Sequence, residues 1–143
     1  MSMRKAIRVE NGKYVGGTAG TTKASQVYMP DGVTSVADAL KAETANATNS
    51  SSVQSGTVKC KRVGSLVSLE LAIAITSLAS SGTLICTVPE NFRPTSVLSF
   101  LVRVLSNNVW TSLQANLATD GKLTMYGNIA STTSVIDIIT FIK

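Results

Sequence analysis

The chain has 143 residues, of which 44% are apolar and only 15% charged, with a formal net charge of +5. That length holds one compact domain with an extension. A charged fraction well below the ~25% of an average domain leaves a surface made polar by Ser, Thr, Asn and Gly, or hidden by self-association. Histidine is absent, which excludes Ser-His and Cys-His nucleophile pairs, His-ligated metals and any side chain that titrates unperturbed near neutrality.

A basic balance favours anionic partners. Nucleic acid is not expected among them, because its footprint needs clustered cations interleaved with aromatics. The cation clusters are Arg4, Lys5 and Arg8, then Lys59, Lys61 and Arg62, and three Phe, three Tyr and one Trp in the whole chain provide no stacking platform. The basic start has no apolar stretch behind it of the kind a secretion signal carries. The most apolar window, residues 66–79, is broken by Ser68, Glu70, Thr76 and Ser77 and falls short of the ~20 residues a membrane span requires, so no membrane insertion is expected.

Residues 1–32 contain an alternating piece at Ala6 to Val9, an Asn11-Gly12 turn signal, a short Tyr14-Val15 and a Gly/Thr-rich stretch. This is too little apolar material for a core and reads as an extended arm ordered by packing on something else. Residues 33–52 form the one helical candidate. Thr34 or Ser35 can cap its start, Asp38 suits the first turns, and Val33, Ala37, Leu40, Thr44 and Ala47 repeat at heptad spacing. Two readings fit: a short parallel bundle of helices held in register by flanking domains, or one amphipathic helix lying on a β-domain. Asn46 to Ser55, rich in Ser and Asn, reads as the linker.

Residues 53–143 are a procession of short alternating strands. Val58 and Cys60 oppose Lys59 and Lys61. Val67, Leu69, Leu71, Ile73 and Ile75 point one way for a whole strand, with Ser68, Glu70, Ala72 and Ala74 the other. A turn at Ser80-Ser81-Gly82 precedes Leu84, Cys86 and Val88, predicted to share a face, and then a loop set between Pro89 and Pro94. Val97 to Leu105 ends at Asn107-Asn108, a turn dipeptide suited to positive φ. Val109, Thr111, Leu113, Ala115 and Leu117 alternate inward, Asp120-Gly121 signals another hairpin before Leu123 and Met125, and Val135 to Ile142 closes the chain. The expected fold is mainly β: an antiparallel β-sandwich or jelly-roll-like head, preceded by the short helical stalk and the arm. Cys60 and Cys86 both fall in apolar alternating runs, as buried free thiols or as a disulfide.

In the strands holding Leu101 and Ile138 both faces are apolar, which a sandwich bathed in water on its outer side does not tolerate. Self-association is the simplest cover. Arg103 and Asp137, embedded in the same strands, either pair with each other or face solvent at a strand edge.

Three segments together resemble the C-terminal heads of bacteriophage tail-fibre and baseplate receptor-binding proteins: Gly56-Thr-Val-Lys-Cys-Lys-Arg-Val-Gly-Ser-Leu-Val-Ser-Leu69, Thr87-Val-Pro-Glu-Asn-Phe-Arg-Pro94 and Asp120-Gly-Lys-Leu-Thr-Met125. Val88 stands where that loop pattern has leucine. Upstream, residues 24–40 look like the segment that precedes the stalk in many phage tail proteins. The resemblance implies a homotrimer on the virion tail. Its arm would dock to other tail or baseplate proteins, a three-helix stalk would be seamed by Val33, Ala37, Leu40 and Thr44, and its head would contact host-envelope polysaccharide. Leu101, Arg103, Asp137 and Ile138 then belong to the subunit interface. Neither a catalytic signature nor a cofactor is implied.

Alternation turns Trp110 outward with Ser112, Gln114 and Asn116, and Tyr126 outward opposite Leu123 and Met125. An aromatic plate among hydroxyls and amides is what a sugar ring needs, although the same rings could be buried between subunits. Arg93 either clamps an anionic group of a wall polymer or fixes its own loop. A structural adaptor binding other virion components is the competing function. Glycan hydrolysis needs paired carboxylates, and the eight acidic residues show no pair.

Overall fold

The computed structural model describes residues 6–10, 13–17 and 35–143. The chain divides into two compact units, Met1–Ala42 and Glu43–Lys143. In the first, β1 (Ala6–Glu10) and β2 (Lys13–Gly17) form an antiparallel hairpin with Ala6 opposite Gly17 and Glu10 opposite Lys13. The rest of the expected arm lies outside the described residues.

A single four-residue helix, α1 (Val36–Ala39), occupies the stalk region. Ser35 caps it: its Oγ accepts the Asp38 N–H at 3.1 Å and donates to Asp38 Oδ2 at 2.6 Å, satisfying one of the orphan donors of a helix start. The predicted helix does not continue. Residues 42–49 are instead β3 (Ala42–Asn46) and β4 (Thr48–Asn49). Ala-rich sequence favours helix in isolation, but here two open sheet edges offer it a ladder on both sides, and its alternate Ala45 and Ala47 pack on the core. Thr44 is therefore a strand residue and not part of a helical seam. Ala37 and Leu40 are exposed, and Val33 lies outside the described residues.

The second unit is one nine-stranded sheet, ordered β3-β5-β6-β11-β8-β9-β10-β7-β4. Its remaining strands are β5 (Val53–Val63), β6 (Leu66–Ile75), β7 (Thr83–Thr87), β8 (Leu98–Ser106), β9 (Val109–Leu117), β10 (Lys122–Tyr126) and β11 (Thr133–Ile142). β3 and β4 are successive parts of one extended segment. The first joins the sheet edge at β5 and the second the edge at β7, helped by Ala47 N–H donating to Val58 O and Ser50 N–H to Ile85 O. The sheet nearly closes on itself, and this segment covers both of its edges, which removes two templates for aggregation.

The period-two pattern of β6 is realised in full: Val67, Leu69, Leu71, Ile73 and Ile75 are buried with Val58, Cys60, Val102, Val104, Leu117, Leu123, Met125 and Val135 in one core. The prediction for β7 needs correction. A bulge opposite Leu123/Thr124 inserts one residue, so Ile85 and Cys86 are both buried while Leu84 turns outward. Asn107 and Asn108 have φ of 50° and 60°, the left-handed geometry of a tight hairpin. Both cysteines are free and buried. Burial pushes the Cys60 thiol up to about 11 and that of Cys86 to about 12. No helix among the described residues is long and apolar enough to cross a membrane.

Candidate recognition face

Two of the segments that carry the family resemblance meet in space. The loop after β7 makes a 3-10 turn, Glu90–Phe92, which drives Phe92 into the core. Arg93 Nε then donates to Val88 O at 2.9 Å, and Val88 N–H donates to Gly121 O at 2.8 Å. Gly121 has φ of 88°, and a Cβ there would stand 2.5 Å from Val88 O and 2.6 Å from Arg93 Nε. Beside it, Lys122 Nζ lies 2.7 Å from Asp120 Oδ2, and this contact holds the Asp120 carboxyl below the usual carboxylate range. Arg93 therefore fixes its own loop against the Asp120-Gly121 turn. Two further side chains clasp the same loop, since Arg62 donates to Asn91 O and Lys143 Nζ donates to the carbonyls of Glu90 and Asn91.

On β9 the predicted alternation holds at Ala115 and Leu117, which are buried, but not at the hairpin end, where Val109 (63% exposed) and Thr111 are exposed instead of turned inward. Trp110 is 53% exposed and points outward with Ser112, Gln114 and Asn116, and Tyr126 is half-buried on the same face. The strand register divides the proposed contacts into two groups. Gln114 sits between Leu101 of β8 and Tyr126 of β10, and Asn116 lies between Ser99 and Thr124. Ser99 Oγ and Asn116 Oδ1 are 2.8 Å apart, and Asn116 Nδ2 donates to Tyr126 Oη at 3.5 Å. Trp110 is four residues from Gln114 along β9, ~14 Å at ~3.4 Å per residue. Its companions are Leu105, directly opposite, and Arg103, whose guanidinium carbon lies 5.7 Å from the ring centroid. Arg93 belongs to neither group.

Of the two readings open for Arg103 and Asp137, the side-chain pairing does not form. β11 pairs with β8 only at Ser134 and Val135, after which the two strands splay. Asp137 fills the gap: its Oδ2 accepts the main-chain N–H of Arg103 at 2.8 Å and its Oδ1 that of Ile138 at 2.9 Å. One carboxylate thus replaces the missing ladder bonds at the seam. This backbone role is not legible in the sequence, because the splay follows from strand register and leaves no compositional mark. Leu101, Ile136 and Ile138 flank the seam with relative exposures of 69%, 49% and 64%. Glu70, Leu71, Arg103, Ile136, Asp137 and Ile138 line a cleft there. No group of three or more metal-ligating side chains gathers among the described residues.

No protein-family model and no curated protein matches this sequence. Solved structures do. The head domain of the lactococcal phage bIL170, described as a receptor-binding domain, superposes with a TM-score of 0.58 at 11% identity, covering 71% of this chain and 98% of that one. The receptor-binding protein gp15 of Listeria phage PSA superposes with a TM-score of 0.56, also at 11% identity, covering 73% of this chain and 67% of that one. The chain thus has the fold of phage receptor-binding heads.

Proposed function

We propose that this chain is the receptor-binding head of a phage or prophage tail, a non-enzymatic homotrimeric adhesin that binds host cell-surface glycan. The observation that carries the reading is the likeness of its β-fold to two phage receptor-binding heads over more than two thirds of its length. Two features of the molecule support the finer parts. An exposed aromatic ring among hydroxyls and amides suits the apolar face and hydroxyl rim of a sugar. The outward strip of Leu101, Ile136 and Ile138 suits coverage by sister copies, with Arg103 at the edge of the covered area, its guanidinium directed to Trp110 on the next strand, outside it. The arm would join the head to other tail components.

Labelled protein applied to a panel of bacterial envelopes tests this. Decoration of some envelopes, lost after periodate oxidation of their glycans, is the expected result. Binding to none of them, together with capture of another tail protein, would establish the structural adaptor in its place.

A further inference from the structure

Resting on the reading of Trp110 as a sugar contact, we infer that the Trp110 end of this face recognises an acidic saccharide, with Arg103 taking its carboxylate or phosphate oxygens. Three observations lead there. First, the guanidinium lies over one face of the ring, 5.7 Å from its centroid, in a contact that uses none of its N–H donors and leaves the other ring face open. Second, the ion pairs among the described residues are Arg62 with Glu43 and Lys122 with Asp120, so no described carboxylate takes the Arg103 side chain. The carboxylates facing it across the seam are Asp137, both of whose oxygens already hold main-chain N–H groups, and Glu70 on β6. Third, Arg103 is exposed and stands directly opposite Ser112, so hydroxyl and guanidinium donors converge beside an exposed apolar ring. A planar fork of donors next to an aromatic plate matches a sugar ring that carries an oxyanion better than a neutral one. Its backbone is anchored by Asp137 whatever its side chain, so the cation can be changed without unfastening the seam.

Trp110 is the one tryptophan of the chain, so intrinsic fluorescence reads this spot directly. The full chain is titrated with glucose, glucuronate and glucose 6-phosphate at matched ionic strength, alongside R103K and R103Q. A saturable response to one or both acidic sugars, roughly tenfold or more tighter than to glucose, is expected. R103Q should abolish the preference and R103K should retain part of it. Which acidic sugar binds more tightly separates carboxylate from phosphate. An equal response to all three sugars, or a preference that R103Q leaves intact, overturns the assignment while keeping Trp110 as a sugar contact. No response to any sugar, in protein that still decorates envelopes, overturns it by moving recognition elsewhere on the head. Failure to decorate envelopes as well removes the wider reading.

Discussion

Asp137 holds the main-chain N–H of Arg103 at 2.8 Å at the point where β8 and β11 part. The carboxylate stands in for a ladder, and removing it leaves two main-chain donors without their partner. D137A is therefore expected to destabilise the head by about 1–3 kcal/mol, at the lower end because the site is partly open to water. D137N, which keeps one acceptor oxygen, should lose less. Denaturant unfolding followed by circular dichroism measures both.

The Gly121 position makes a sharper demand. Its positive φ and the 2.5 Å approach of a would-be Cβ to the Val88 carbonyl combine backbone strain with a steric clash against main chain. G121A should cost more than ~1 kcal/mol, and it should also release the Pro-bracketed loop. Faster amide exchange at Arg93 and Val88 is the accompanying signature.

The buried thiols give a prediction with a definite sign. Desolvation raises Cys60 to about 11 and Cys86 to about 12, above the ~8.5 of an unfolded cysteine. Both stay protonated and inert to a thiol-exchange reagent at pH 8 in the native protein, and both react on unfolding. Their contribution to stability is complete below the unfolded value and declines as the pH rises above it, because only the unfolded chain then releases protons.

Much of this was legible in the residues. The unbroken alternation of β6, the Asn-Asn and Asp-Gly turns and the outward parity of Trp110 and Tyr126 follow from a period of two, which needs no knowledge of partners. What escaped depends on pairing. A single inserted residue exchanged Leu84 for Ile85 in the core. The Ala-rich stretch after α1 became strand because two sheet edges lie on either side of it. Trp110 and Tyr126 share a face yet stand far apart, a separation set by the register of β9 against β10 and invisible to parity alone.

Leu101 and Ile138 flank the seam on its outer side, and the proposed trimer covers them. The double variant L101E/I138E should fold, since neither side chain enters the core, but it should lose its sister copies. Light scattering is expected to give the mass of three chains for the parent protein and of one for the variant. A parent protein that runs as a single chain would leave the apolar strip without its proposed cover.

Envelope binding by a Trp110→Ala variant tests the central claim most directly. The wild-type chain should decorate a susceptible envelope, and W110A, with unchanged mass and unfolding midpoint, should lose at least about tenfold in affinity, the order expected for a central aromatic anchor. Equal decoration by the two proteins would place recognition away from this face and contradict the account.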